Sequence, residues 1–94
     1  MVTEHKRRPA ILIAVEDGWV TVVCGTSTAG RDYPFVCIGQ NSVAGKVLGL
    51  SNPTYFYVNN VLLVRADAVG IKGPCPPRVF FELEEKLRLK KLGL

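Results

Sequence analysis

The chain has 94 residues, of which 48% are hydrophobic and 21% charged, and its net charge is +4. This length predicts one domain spanning 1–94 and excludes two, while the composition excludes a disordered tail or a fibre. A domain this small gains little from its own core, so we expect a second copy to stabilise it as a homodimer. The charge favours a nucleic acid or an acidic protein segment as partner, although a solvated surface accounts for it equally well.

The cysteine content indicates a reducing compartment rather than a disulfide framework. There are 3 cysteines, and no two have the spacing of metal ligands, so neither a metal nor a cofactor is predicted. Residues 1–9 are polar and lack the apolar stretch of a signal peptide, and the longest uncharged run contains Asn and Pro residues that a bilayer disfavours. We therefore predict a cytoplasmic protein with no membrane partner.

The predicted sheet begins with two apolar runs joined by a tight turn. Residues 10–15 have the branched apolar composition of a buried strand, and residues 19–24 form the returning strand. Asp17-Gly18 lies between them and indicates a hairpin, because glycine accepts positive φ without penalty. Residues 25–34 are polar and contain glycine, which predicts a loop of functional length.

The middle of the chain is predicted as short strands and loops. A loop over 39–53 contains three glycines and a brief strand at Val47-Leu48. Asn59-Asn60 predicts a turn or a bulge between two extended runs, and Arg31, Lys46 and Lys72 are assigned to loops. The predicted strands in this part are 35–38, 55–58 and 61–65.

The C-terminal end predicts one helix over 78–92, closed by Gly93. Its acidic residues crowd the first half and its basic residues the second, an order that complements the helix dipole. Its apolar face is Val79, Leu83 and Leu87 with Phe80 beside them, and Phe81 is also assigned to packing. Its favourable i, i+4 pairs are Glu82–Lys86 and Glu84–Arg88. The order of elements predicts a mostly β protein with α (α+β), a small antiparallel sheet or barrel with a C-terminal helix.

Several segments, taken in chain order, resemble the MazF/PemK family of toxin–antitoxin endoribonucleases. Arg8-Pro9 runs directly into an apolar strand, and the next strand ends in the sequence 23–27, Val-Cys-Gly-Thr-Ser. Tyr33-Pro34-Phe35 is similar to the start of the family's following strand, and residues 49–55 are similar to its next loop. The Glu-rich terminal helix completes a resemblance that covers nearly the whole chain.

The resemblance implies an SH3-like antiparallel barrel of the MazF, PemK and CcdB kind. It also implies a homodimer that cleaves single-stranded RNA without a metal, and an acidic antitoxin protein that occupies the same cleft. Family members usually begin with a longer strand, whereas the residues before Pro9 are few and polar. We therefore expect the first strand to be missing and the barrel to be open on one side.

The resemblance assigns catalysis to Arg8 and Thr26. A guanidinium matches two phosphate oxygens and stays charged at any working pH, and a hydroxyl can donate to a phosphate oxygen. The simpler alternatives are an exposed arginine before a proline and a local turn hydrogen bond made by Thr26. Further residues predicted to contact RNA are Lys6, Arg7, Ser27, Arg31 and Asn59.

Asn59 stands where many family members carry an aspartate, and an amide cannot exchange a proton. The chemistry therefore either rests on Arg8 and Thr26 or is weak. His5 is the sole histidine and titrates near neutrality, but its place in a charged terminus is typical of a solvated residue. The aromatic residues that could stack on bases, about half of which belong in the core, are Phe35, Tyr55, Phe56 and Tyr57.

Three functional hypotheses follow from the sequence. The first is the toxin of a type II toxin–antitoxin system, a metal-independent endoribonuclease acting on single-stranded RNA or mRNA. The alternative is a catalytically weak or inactive relative that binds RNA or an acidic peptide on the same fold, which Asn59 and the short front end favour. A gyrase-directed toxin, from a branch that shares the fold, is a third hypothesis.

Overall fold

The computed structural model describes residues 2–5 and 8–91, without the side chains at positions 2, 4, 5 and 72. Lys6 and Arg7, which the sequence assigns to RNA contact, lie outside the described residues, as do Leu92 and Gly93. The elements, in chain order, are β1 Val2–His5, β2 Arg8–Glu16, β3 Trp19–Thr26, β4 Phe35–Ile38, α1 Val43–Leu48, β5 Thr54–Arg65, a 3-10 turn Ala66–Ala68, β6 Gly70–Gly73 and α2 Pro77–Lys91.

The described strands form one antiparallel sheet in the order β4-β5-β3-β2-β1-β6. The sheet and the terminal helix confirm the predicted α+β class. The hairpin between β2 and β3 is also confirmed, because Asp17 and Gly18 have φ values of 48° and 82°. Both values lie in the left-handed region that a tight two-residue hairpin turn requires.

The sheet buries apolar side chains on both faces, and α2 covers one of them. On that face Leu83 is fully buried against Phe56, Ile11 and their neighbours, with Leu48 of α1 at the margin. Val79, Phe80 and Leu87 pack around it, as the sequence predicts. The opposite face holds a second cluster, formed by Ala10, Val20, Val22 and Cys24.

The charged surface of α2 differs from the prediction, because neither Glu82–Lys86 nor Glu84–Arg88 is among the ion pairs of the described side chains. Arg88 bonds to Glu85, with 2.5 Å between Nη2 and Oε1, rather than to Glu84. The Nζ of Lys90 donates to the Val58 carbonyl at 3.0 Å, which ties the end of the helix to β5. Phe81, assigned to packing, is 68% exposed. It lies outside the apolar stripe because it is two residues from both Val79 and Leu83, on another side of the helix.

The expectation that the first strand is missing is wrong. Residues 2–5 pair with β2 on one side and with β6 on the other, so their backbone groups are satisfied by two neighbours. Thr3 is fully buried, and its hydroxyl donates to the Ala10 carbonyl at 3.4 Å. Pairing on both edges and one buried threonine suffice for a short strand despite the polar composition.

The predicted strand at Val47-Leu48 is also wrong, since both residues belong to α1. Ser42 caps this helix by accepting from the Gly45 N–H at 2.9 Å, and Gly49 ends it with φ 66°. A Cβ on Gly45 would overlap the Gly39 carbonyl, so only glycine allows the helix to pack this closely on the preceding loop.

Two further residues assigned to loops lie in regular secondary structure. Lys46 lies in α1, and position 72 lies in β6. The two predicted runs around Asn59-Asn60 are one strand, β5, whose register shifts against β3 between Val23 and Gly25. The predicted interruption is therefore a bulge rather than a turn. Arg31 lies in the loop after β3, as predicted.

Candidate functional site

A cleft of about 410 Å³ opens at the end of the sheet where β2 begins, β3 ends and β5 begins. The segment that follows α1 forms its other wall. Among the described residues that line it, Arg8 is the one charged side chain, and half of the others carry hydroxyl groups. The hydroxyl-bearing residues are Thr3, Thr26, Ser27, Thr28, Ser51 and Thr54.

Arg8 and Thr26 come from adjacent strands whose register sets them side by side. Ala10 pairs with Cys24. Arg8 lies two residues before Ala10, and Thr26 lies two residues after Cys24. Their side chains therefore point to the same face of the sheet. Both line the cleft together with Ser27, so three of the predicted site residues meet in one place.

Two glycines shape the walls of the cleft. A Cβ on Gly25 would overlap the Thr54 methyl and lie 2.9 Å from the Phe56 ring, so glycine lets β5 approach β3 closely at the floor. Gly49, in the left-handed region, turns the chain back after α1. Its N–H donates to the Lys46 carbonyl at 3.2 Å, which fixes the direction of the second wall.

Among the described side chains, the cleft carries one positive charge and no counter-charge. The Arg8 side chain is exposed, and no carboxylate of the described side chains forms an ion pair with it. Burial raises the pKa of the Cys24 thiol, and the nearby Arg8 charge offsets part of this rise. The thiol therefore stays neutral behind the cleft, while Arg8 faces the open side, an arrangement suited to binding an anion.

The Thr26 hydroxyl makes the local bond that the sequence offered as the alternative to a functional role. It accepts from the Thr28 N–H at 3.2 Å, which fixes its rotamer. A hydroxyl that accepts one hydrogen bond still has its own proton to donate. The local bond therefore positions Thr26 and leaves a donor for a ligand in the cleft.

The loop over 27–34 is fastened to a buried tyrosine. The Tyr57 hydroxyl donates to the Thr28 carbonyl at 3.0 Å and accepts from the Arg31 N–H at 3.5 Å. The Arg31 guanidinium lies 5.6 Å from the centroid of the Tyr57 ring. Arg31 thus holds the loop beside the cleft but does not line the cleft.

We expect Tyr57→Phe to loosen this loop without unfolding the protein. Losing the hydroxyl removes two hydrogen bonds, the one it donates to the Thr28 carbonyl and the one it accepts from the Arg31 N–H. Each costs about 0.5–1.5 kcal/mol in the free energy of unfolding. Trypsin should then cut after Arg31, which is exposed, faster than in the wild type, while its cuts in α2 keep their rate. Equal rates of cutting at Arg31 in both proteins would show that the tyrosine hydroxyl does not hold the loop.

Asn59 does not line the cleft. It is exposed on the bulge of β5, and the neighbouring Asn60 makes the structural contact, donating from Nδ2 to the Cys24 carbonyl at 3.0 Å. These amides lie on the bulge, whereas the residue of β5 that pairs with Thr26 is Tyr55, near the start of the strand. The His5 backbone pairs with Arg8, and the His5 side chain lies outside the described residues.

Several lining residues were missed by sequence reasoning. Ser51 and Asn52 form the wall after α1, and the Thr54 hydroxyl donates to the Asn52 carbonyl at 3.1 Å where the chain enters β5. The sequence does contain a signal for this wall. Ser42 and Gly49 are residues typical of the two ends of a helix, and they flank six residues, which predicts a short helix followed directly by a turn.

Within residues 2–5 and 8–91, no group of three or more His, Cys, Asp or Glu side chains is placed to hold a metal ion. No helix of the described ranges is long and apolar enough to span a membrane. The sequence matches no protein-family model, and no curated protein is significantly similar to it. Function is therefore inferred from the residues of the cleft.

Proposed function

We propose that this protein is a metal-independent endoribonuclease of the MazF/PemK kind, the toxin of a type II toxin–antitoxin pair, acting on single-stranded RNA. The observation that carries the proposal is the meeting of Arg8, Thr26 and Ser27 in one hydroxyl-rich cleft. The resemblance selects the same residues as catalytic and RNA-binding, although the cleft itself is defined by geometry alone. The one charge among its described lining residues is positive, which suits a phosphate.

The proposed chemistry uses the RNA as its own nucleophile. The O2′ of one nucleotide attacks the adjacent phosphorus, the bond from phosphorus to O5′ breaks, and a 2′,3′-cyclic phosphate and a 5′-hydroxyl end result. One proton leaves O2′ and one is added to O5′, so the reaction consumes no co-reactant. Arg8 would stabilise the two non-bridging oxygens as charge develops, and Thr26 would hold the strand in line for the attack.

The proposal extends to the fold and the partners. We assign the sheet to the SH3-like barrel of the family, and a second copy and an acidic antitoxin to its binding partners. A groove between α2 and β2, where Phe81 is 68% exposed beside Ile13, Ala14 and Leu87, supports a homodimer. Sedimentation should give twice the chain mass of 10.3 kDa. An acidic antitoxin segment would compete with RNA for Arg8.

The test is incubation of the purified protein with a long single-stranded RNA in excess EDTA, followed by mapping of the new ends. Discrete cuts that carry 5′-hydroxyl ends are expected, because neither the attack by O2′ nor the departure of O5′ needs a metal. Cuts that disappear with EDTA, or RNA that stays intact at every protein concentration, would contradict the proposal.

A non-catalytic relative that binds RNA or an acidic peptide is the second candidate. It is favoured by the side chains of the cleft, where the described lining contains no carboxylate or imidazole to move a proton. This candidate predicts binding that weakens steeply with salt, with no new ends in the same RNA. The two functions are therefore separated by one gel.

A further inference from the structure

Three aromatic rings form a cluster on the sheet face that carries Arg8 and Thr26. Phe35 lies 5.5 Å from Tyr55 and 5.4 Å from Tyr57 between ring centroids, and the two tyrosines stack at 6.2 Å. Phe35 is 40% exposed and Tyr55 half-buried, whereas Tyr57 is fully buried. The exposed surface of the cluster is therefore the Phe35 ring with part of Tyr55.

Strand register joins this cluster to the cleft. Thr26 pairs with Tyr55, and Tyr55 pairs with Cys37 on its other side, so these side chains project from the same face. Arg8 lies on that face in the strand next to Thr26. Arg8 and Tyr55 are thus about 10 Å apart, two strand spacings, in one row across the sheet.

The chemistry of the cluster fits a nucleobase better than an aliphatic side chain. An exposed ring offers a flat face for stacking, and the Arg31 guanidinium beside Tyr57 adds a cation at the rim. Proteins that hold single strands combine a cationic track for the phosphates with aromatic rings for the bases. Here the phosphate position and the rings lie in one row.

We propose that the Phe35–Tyr55 surface is a base-stacking subsite for single-stranded nucleic acid, adjacent to the phosphate bound at Arg8. This inference rests on the proposed function, because it takes from that proposal a nucleic-acid phosphate bound at Arg8. The subsite takes any base, because every base has a π-face, so it sets affinity rather than sequence.

The experiment compares two fluorescein-labelled single strands of 20 nucleotides by anisotropy. One is mixed-sequence DNA, which lacks the 2′-hydroxyl and cannot be cut, and the other is an abasic strand of the same length. Phe35→Ala should weaken binding of the DNA about fivefold or more and leave the abasic strand unchanged. Phe35→Trp should restore the affinity for DNA, and Phe35→Leu should not, because leucine preserves packing without a ring.

Trp19→Ala is the matched control. Trp19 is 44% exposed and has Arg65 5.8 Å from its ring centroid, but it lies at the hairpin end of the sheet. Its truncation should alter neither affinity. The subsite is overturned if Phe35→Ala weakens binding of both strands equally or of neither. It is also overturned if the wild type prefers the abasic strand or binds neither strand. If Phe35→Ala halves the sedimenting mass, the rings belong to a contact between two copies and the subsite is likewise overturned.

The same variants separate this inference from the proposed function. A Phe35-dependent preference for bases in a protein that does not cut RNA supports the subsite and contradicts the ribonuclease. RNA cutting with equal binding of both strands supports the ribonuclease and contradicts the subsite. Alkylation of Cys37 gives an independent reading, because this exposed thiol lies opposite Tyr55 and DNA on the rings should slow its reaction with iodoacetamide.

Discussion

Arg8→Ala is expected to abolish RNA cleavage, with a fall in rate of at least about 100-fold. The guanidinium is the one positive charge among the described residues of the cleft, so none of those residues replaces it when charge develops on the phosphate oxygens. Arg8→Lys should recover little, because an ammonium lacks the planar pair of donors that fits two oxygens. The rate of cutting of a defined RNA in EDTA, with thermal melting beside it, measures both effects.

The melting temperature should change little in either variant, because the Arg8 side chain is exposed. Arg65→Ala is the matched control. It removes the same charge from an exposed arginine that contacts Asp67 at 3.6 Å, near the hairpin end of the sheet and away from the cleft. Full activity in Arg8→Ala, or an equal loss in Arg65→Ala, would remove Arg8 from the site.

Leu83→Ala should cause the largest loss of stability, about 2–5 kcal/mol in the free energy of unfolding. Leu83 is the fully buried residue of α2 and fills the centre of the core face, so its truncation leaves a cavity against Phe56 and Ile11. A small domain has about 5–15 kcal/mol in total, so the melting temperature should fall by roughly 10 °C or more.

Urea denaturation at fixed protein concentration measures this loss, with Val43→Ala as control. Val43 is 82% exposed in α1, and its truncation should change the free energy by less than about 0.5 kcal/mol. If the free energy of unfolding of Leu83→Ala equals that of Val43→Ala and the wild type, Leu83 does not anchor α2 to the core.

The elements predictable from the sequence are those whose signals are local. The hairpin at Asp17-Gly18 and the helix through Leu83 are each determined by turn chemistry or by apolar spacing within one segment. β1 and β6 were missed because each depends on a partner far away in sequence, and even the buried residue of β1, Thr3, is polar. A strand of this kind is stabilised by pairing on both sides rather than by its own composition.

The candidate site divides in the same way. Arg8, Thr26 and Ser27 lie next to strand ends, so a strand prediction and a resemblance are enough to bring them together. Asn59 was assigned to RNA contact by its position in the chain, but the bulge in β5 moves it away from the cleft lining.

The most direct test of the central claim is a single 2′-deoxy substitution in the RNA. An oligonucleotide containing a mapped cut site is compared with the same oligonucleotide whose nucleotide on the 5′ side of the cut lacks its 2′-hydroxyl. We expect the first to be cut to a 2′,3′-cyclic phosphate in EDTA, and the second to be bound equally well but left intact. Cutting of the deoxy strand at the same position would show that the cleft does not use the RNA as its own nucleophile.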